Sequence, residues 1–159
     1  MIVRPATRAD VPAMRDLQGA IIAAGGTTAY LVPFSEAGFI ASYLTPPATI
    51  CCFIAMDDAG LVGFQALSLW DGLPDGWADI GTFIAPDRQR TGAGAALFAA
   101  TMAAARAAGI ATINATIRCD NAAGLGFYAR RGFVDYATDP AWRLADGTVV
   151  GRVSRRFEV

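Results

Sequence analysis

A segment between residues 82 and 97 has the residue order of a site for a phosphate-bearing ligand. An apolar strand runs into a proline turn, then into Gln89–Gly94 and an alanine-rich helix. Glycines let a backbone approach a ligand closely, and the first N–H groups of a helix bind anions with the help of the helix dipole. Arg88 and Arg90 add positive charge beside them. The segment therefore predicts that a pyrophosphate group binds here.

Residue types that the chain lacks exclude several other kinds of site. All 13 basic residues are arginines, and there is no histidine. A Walker-type phosphate loop needs a lysine, and a dinucleotide fingerprint would need a third glycine where Leu97 stands. Histidine-based zinc sites and Ser-His-Asp or Cys-His catalysis are excluded as well. A general base must then be an Asp, Glu, Tyr, Cys, water or the amino terminus. For the glycine segment an alternative stays open, because Gly92 and Gly94 alone would also suit a plain tight turn.

A second block of residues extends the pattern and carries a family resemblance. Gln89-Arg90-Thr91-Gly92-Ala93-Gly94 matches the Gln/Arg-x-x-Gly-x-Gly/Ala signature of the GNAT family, the Gcn5-related N-acetyltransferases. The stretch Asn121–Phe133, with Tyr128 on a helix that ends in Gly-Phe, resembles the second block of that family. The opening Val3–Thr7 with Asp10 resembles its start, so the resemblance covers nearly the whole chain.

The resemblance implies acetyl-CoA as the cosubstrate and assigns residues to it. In the family the fourth strand diverges from the fifth, and the pantetheine arm lies in the gap. The backbone groups of Thr82, Phe83 and Ile84 would then bond the pantetheine, and Asn121 would bond the same arm or the adenosine side. The glycine loop would hold the pyrophosphate through Gln89, Arg90, Thr91, Gly92, Ala93, Gly94 and Ala95.

The same resemblance places two catalytic residues. Tyr128 stands where the family keeps the acid that protonates the leaving thiolate, although an aromatic packed in the core is the alternative. Asp79 lies on the fourth strand, seven residues before Pro86, where many members place a glutamate base. It would act directly or through a water, and a solvent-exposed aspartate at a strand edge is the alternative.

The acceptor is less well defined by the sequence. The Gly25–Tyr30 loop resembles that of the phosphinothricin and amino-acid acetyltransferase branch, and Arg118 or Arg143 could pair with a substrate carboxylate. A small-molecule primary amine is the leading prediction. A protein N-terminus or lysine, and a non-catalytic acyl-CoA-binding module, are the alternatives. Candidate acceptor residues are Thr28, Tyr30, Phe34, Trp70, Trp77 and Trp142. Each of the three tryptophans could instead pack in the core.

The elements that must position these residues alternate between helical and strand patterns. The order is a strand, two helices, three strands, a helix, a strand, a helix and two strands. We expect one α/β (α+β) domain, residues 1–159, with a central mixed, mostly antiparallel sheet of about seven strands and about four helices on both faces. Parallel pairing is expected around the glycine loop. Expected element bounds include a helix from near Ala9, strands Leu61–Trp70 and Ile110–Arg118, and a last strand Thr148–Phe157.

Charge and composition limit the partners and the compartment. A net charge of −1 gives no nucleic-acid surface, and the 54% hydrophobic residues form no run long enough for a membrane span. The start of the chain lacks the pattern of a signal peptide, so we expect a cytoplasmic protein. We also expect no metal. The three cysteines are expected to be reduced and buried. A homodimer that uses the last strand, with Arg152, Arg155 and Arg156, is possible.

Overall fold

The computed structural model describes residues 1–159 and contains seven strands and four helices in the expected order. The helices are α1 Val11–Ala24, α2 Glu36–Tyr43, α3 Ala93–Ala107 and α4 Ala122–Ala129. The strands are β1 Ile2–Pro5, β2 Thr49–Asp57, β3 Gly60–Ser68, β4 Trp77–Ile84, β5 Thr112–Arg118, β6 Val134–Asp139 and β7 Arg152–Glu158.

All seven strands form one sheet in the order β1-β2-β3-β4-β5-β7-β6. Five of the neighbouring pairs are antiparallel, and only β4 and β5 run parallel. The glycine loop and α3, which lie between β4 and β5, form the crossover that a parallel pair requires. The predicted mixed, mostly antiparallel sheet is confirmed, and so is the position of its parallel pair.

Helices cover both faces of the sheet, as predicted. On one face, α1 and α2 bury Met14 and Phe39 against Phe64 of β3. On the other face, α3 and α4 bury Met102 and Tyr128 in a second apolar cluster. Burial of these large side chains is the main favourable contribution to folding and fixes the helices on the sheet.

Side chains stabilise the start of α2 and the turn that precedes α1. The sequence predicted Ser35 as the cap of α2, and its Oγ accepts a hydrogen bond from the Gly38 N–H at 3.1 Å. The first helix differs from its prediction, because a 3₁₀ turn, Arg8–Asp10, precedes α1. Asp10 accepts from the Thr7 backbone and hydroxyl and from Arg4, which ties this turn to β1.

Three strand bounds differ from the sequence prediction. Strand β3 ends at Ser68, and Trp70 lies beyond it with 60% of its surface exposed. Strand β5 begins at Thr112. Strand β7 begins at Arg152, because Gly151 adopts a left-handed φ of 66° that breaks the extended chain.

All three cysteines are free thiols, but they do not share one environment. Cys52 is buried and Cys51 partly so, whereas Cys119 is exposed. The prediction of three buried thiols is therefore wrong for Cys119, which follows the end of β5 and leaves the core. No helix of the structure combines the length and apolar character needed to cross a bilayer.

Candidate active site

A cleft opens where β4 and β5 separate. The two strands pair only through Trp77–Asp79 and Thr112–Asn114. Beyond these residues β5 continues beside β7, so the β5-facing edge of β4 has no strand partner from Ile80 to Ile84. Unpaired strand edges offer backbone N–H and C=O groups to a ligand. The cleft has a volume of about 820 Å³.

The glycine loop and the start of α3 form one end of this cleft. Arg90 and Gly92 have left-handed φ values of 64° and 91°, which turn the loop sharply into the helix. No side chain caps α3 at its N-cap, Gly92. The first N–H groups of the helix are therefore free to bind an anion, as the sequence predicted.

The charges around the cleft are mostly positive. Four arginines line it, and Asp79 is the one acidic lining residue. Arg88 forms an ion pair with Asp57, so Arg90 carries the freer charge of the two loop arginines. Sequence reasoning missed Arg130 and Arg131 at the end of α4, although the double arginine after the second motif was a visible signal.

All residues that the sequence assigned to the cosubstrate line the cleft together. They come from β4, the loop, the first turn of α3 and the start of α4. Asn121 is also used by the protein, since its Oδ1 accepts from the Gly124 N–H at 2.9 Å and caps α4. The lining set is Thr82, Phe83, Ile84, Gln89, Arg90, Thr91, Gly92, Ala93, Gly94, Ala95 and Asn121.

Tyr128 reaches the cleft from α4 and ends a chain of buried polar groups. Gln65 Nε2 donates to Thr82 Oγ1 at 2.8 Å, and that hydroxyl lies 2.8 Å from the Tyr128 hydroxyl. When Thr82 donates to Tyr128, the tyrosine proton is free to point into the cleft. Burial raises the pKa of Tyr128 above its ordinary value, so the group stays protonated at neutral pH. Gln65, which sequence reasoning missed, is fully buried.

Asp79 lies on β4 at the last paired position, where the cleft begins. Its Oδ1 accepts a hydrogen bond of 2.6 Å from Asn114 Nδ2 on β5. Burial raises the pKa of Asp79 to about 6, and the Asn114 hydrogen bond opposes that rise. No arginine pairs with Asp79, so the carboxylate remains available to a ligand.

The predicted aromatic acceptor residues do not form one pocket. Thr28 and Tyr30 line the cleft, and Phe34 packs behind Tyr30 with its ring centroid 4.6 Å away. Trp70 is exposed, Trp77 packs edge-on against Tyr136, and Trp142 lies beneath Arg152. The tryptophans were chosen by residue type, which does not reveal the direction in which a side chain points.

The α1–α2 loop, residues 25–35, is tied across the cleft to the β5–α4 corner. Arg118 Nη1 donates to the Thr28 carbonyl at 2.8 Å, and Asn121 Nδ2 donates to the Thr27 carbonyl at 3.2 Å. Arg118 also forms two hydrogen bonds with Asp120, of 2.8 and 2.7 Å. These bonds occupy the guanidinium, so Arg118 positions the loop and is not free for a substrate carboxylate. Arg143 donates to the Gly147 carbonyl at the exposed hairpin outside the cleft.

Solved structures with the same fold include three N-acetyltransferases. The chain superposes on the ribosomal-protein-alanine N-acetyltransferase from Brucella melitensis with a TM-score of 0.87 at 16% identity, covering 100% of both chains. For the phosphinothricin acetyltransferase from Sinorhizobium meliloti, solved with acetyl-CoA, the TM-score is 0.87 at 18% identity, covering 99% of this chain and 88% of that one. For an N-acetyltransferase from Staphylococcus aureus Mu50 the TM-score is 0.88 at 16% identity, covering 99% of this chain and 97% of that one.

At these identities the likeness to solved structures is one of fold. No curated protein sequence matches the chain. The model of the acetyltransferase (GNAT) family matches residues 21–133, a range that spans the α1–α2 loop, β4, the glycine loop and the whole of α4. With this match over more than half of its length, the chain belongs to the acetyltransferase (GNAT) family.

Proposed function

We propose that this protein transfers the acetyl group of acetyl-CoA to the primary amine of a small molecule, by direct attack within a ternary complex. The observation that carries the proposal is the meeting of three features in one cleft. These are an uncapped helix start beside a left-handed glycine turn, a buried tyrosine hydroxyl, and a carboxylate without an ion-pair partner.

Family membership makes the chain an acyltransferase with acetyl-CoA as its cosubstrate. The residues of the cleft suit that molecule. A Cβ added to Gly92 would meet no atom within 4 Å, so the loop leaves room in front of the free N–H groups of α3. The unpaired edge of β4 supplies backbone groups for the amides of the pantetheine arm. Arg90, Arg130 and Arg131 supply positive charge for the phosphates.

Bound acetyl-CoA supplies a thioester carbonyl for attack and a thiolate as the leaving group. We assign Tyr128 as the donor to that thiolate. Its hydroxyl keeps its proton because burial raises its pKa, and Thr82 holds the oxygen in place. Desolvation disfavours the charged form of a thiol, so a leaving thiolate held in the cleft is a better proton acceptor than one in water.

We assign Asp79 as the group that takes the proton from the attacking amine. A carboxyl group with a pKa of about 6 is mostly ionised at pH 7 and can accept a proton. Its pKa is nearer to the roughly 8 of an α-amino group than to the roughly 10.4 of a lysine-type amine. Each pKa unit of mismatch adds about 1.4 kcal/mol to the proton transfer. A less basic amine, such as an α-amine, therefore gives its proton to Asp79 at a lower cost than a lysine-type amine does.

The acceptor side of the cleft favours a small molecule over a basic peptide. The α1–α2 loop is tied down beside Asp79 by Arg118 and Asn121, which limits the space for a long chain. Asp79 is the one acidic lining residue, so the cleft offers no acidic groove to a basic peptide. A cytoplasmic location and a homodimer stay predictions.

A protein N-terminus is the second candidate acceptor, because it too is an α-amine. The Brucella melitensis structure with the same fold is a ribosomal-protein-alanine N-acetyltransferase. Thiol release from acetyl-CoA distinguishes the candidates when free amino acids, phosphinothricin-like analogues, polyamines and aminoglycosides are compared with an alanyl hexapeptide. The proposal predicts faster turnover of a small amine. Turnover of the peptide alone would establish the second candidate, and acetyl-CoA binding without any turnover would indicate a non-catalytic module.

A further inference from the structure

A buried polar cluster lies behind Asp79, and none of its members besides Asp79 is assigned to the chemical step. It joins β4, β5 and β6 on the face of the sheet that carries α1 and α2. Asn114, at its centre, is 1% exposed. A buried amide is costly unless its groups are hydrogen-bonded, so the arrangement of its partners needs an explanation.

Every polar atom of Asn114 has a partner. Nδ2 donates to Asp79 Oδ1 at 2.6 Å and to Thr116 Oγ1 at 3.1 Å. Oδ1 accepts from the Tyr136 hydroxyl at 2.5 Å. Because Tyr136 donates to the carbonyl oxygen, the amide presents its N–H groups, and not its oxygen, to the carboxylate.

Tyr136 is itself held in place although its strand is exposed. Its ring packs edge-on against Trp77, with centroids 5.4 Å apart. Trp77 lies two residues before Asp79 on β4, so both side chains leave the same face of the strand. The tryptophan that the sequence suggested for the acceptor therefore supports this hydroxyl.

We propose that Asn114 and Tyr136 are positioning residues for Asp79: Asn114 holds the carboxylate at the mouth of the cleft, and Tyr136 fixes the orientation of the Asn114 amide. This inference rests on the proposed function of Asp79. The bond from Asn114 occupies Oδ1 and leaves Oδ2 for the proton of the acceptor amine. A carboxylate held from behind in this way cannot rotate away from the cleft without losing a charge-assisted hydrogen bond.

The titratable groups near Asp79 come from three other elements: Tyr30 from the α1–α2 loop, Tyr128 from α4 and Tyr136 from β6. Burial raises the pKa of each tyrosine, and the charge of Asp79 raises it further. The Arg156 charge acts on Tyr136 and not on Asp79. Asn114 is therefore the one hydrogen-bond donor that stabilises the ionised form of Asp79.

The test needs no acceptor, since it follows the Asp79 carboxyl carbon by NMR titration of ¹³C-aspartate-labelled protein. The Asp79→Asn variant identifies the signal. We expect Asn114→Ala to raise the Asp79 pKa by about one pH unit and Tyr136→Phe to raise it by about half as much, because each weakens the donation to the carboxylate. Tyr43→Phe is the control, since its hydroxyl lies in the α1–α2 core and bonds neither Asp79 nor Asn114 nor Tyr136.

Unfolding temperatures measured on the same samples separate positioning from a general loss of structure. The inference predicts that Tyr136→Phe and Tyr43→Phe both unfold cooperatively well above the titration temperature, while only Tyr136→Phe moves the Asp79 titration. An unchanged titration in both Asn114→Ala and Tyr136→Phe would overturn it. A pH–rate profile that Asp79→Asn leaves unchanged would instead overturn the assignment of Asp79 as the base.

Discussion

At the residue scale, the two proposed catalytic groups owe their properties to burial. Tyr128 keeps its proton and Asp79 binds one more tightly, because the sheet and helices remove water from both. A buried amide supports each group. Gln65 on β3 donates to Thr82, which bonds the Tyr128 hydroxyl, and Asn114 on β5 donates directly to Asp79. Acid and base are thereby positioned by the β3–β4–β5 region of the sheet.

Replacing Tyr128 tests the acid. Tyr128→Phe keeps the ring in its apolar cluster and removes only the hydroxyl. We expect kcat to fall by roughly 10²–10³, which is typical of losing a general acid, while acetyl-CoA binds as before. Steady-state kinetics and calorimetry check this, with Tyr43→Phe as the matched hydroxyl deletion. A kcat within a factor of two of the wild type would remove Tyr128 from the mechanism.

Replacing Asp79 has a consequence for stability as well as for activity. The folded-state pKa of about 6 lies above the ordinary value of 3.8. Between these values the folded protein binds more protons than the unfolded chain, so the free energy of unfolding falls as pH rises. The total loss is up to about 3 kcal/mol, an upper value because the carboxyl keeps some contact with solvent.

Asp79→Asn removes this titration. The variant should match the wild type near pH 4 and be more stable than it above pH 6, at the expense of activity. Urea unfolding at several pH values measures the difference, in which the other titrating groups cancel. If the two proteins lose stability in parallel between pH 4 and pH 6, Asp79 does not titrate as proposed.

At the element scale, the turn into α3 depends on its left-handed glycine. Gly92→Ala places a Cβ on a residue of the cleft lining with φ of 91°, at a cost of about 1–2 kcal/mol. Gly147→Ala, with φ of 88° and open space around it, carries the same strain far from the cleft. Both variants should unfold at lower temperature, but only Gly92→Ala should weaken acetyl-CoA binding in calorimetry. Equal affinity in both variants would contradict the role of this turn.

Hydrogen bonds from Arg118 and Asn121 hold the α1–α2 loop against the β5–α4 corner. Arg118→Ala removes the hydrogen bond to the Thr28 carbonyl, and bonds from charged groups contribute about 1.5–3 kcal/mol. Hydrogen exchange of the Tyr30 amide, which donates to Thr28 Oγ1, should accelerate roughly tenfold or more. Arg143→Ala, which removes an arginine from the exposed hairpin, should leave that exchange unchanged. Equal rates in the two variants would show that Arg118 does not hold the loop.

At the scale of the whole molecule, the sequence predicted the architecture well because its signals are local. Periodicity and turn residues gave the order of the elements, and the family resemblance of Gln89–Gly94 and Asn121–Phe133 implied that β4 and β5 separate. The predicted end of β3 was wrong. The predicted start of β7 was wrong as well, because Gly151 interrupts that strand. Contacts such as Asn114 with Asp79, 35 residues apart, leave no pattern in a single sequence.

We propose that the cleft between β4 and β5 transfers acetyl groups to small amines. Mass spectrometry can follow this transfer in a mixture of enzyme, acetyl-CoA and a pool of amino acids, polyamines, aminoglycosides and an alanyl peptide. We predict an acetyl group on a small amine, none on the protein itself, and much slower product formation with Tyr128→Phe. An amine pool that stays unmodified while calorimetry shows acetyl-CoA bound in the cleft would contradict this function.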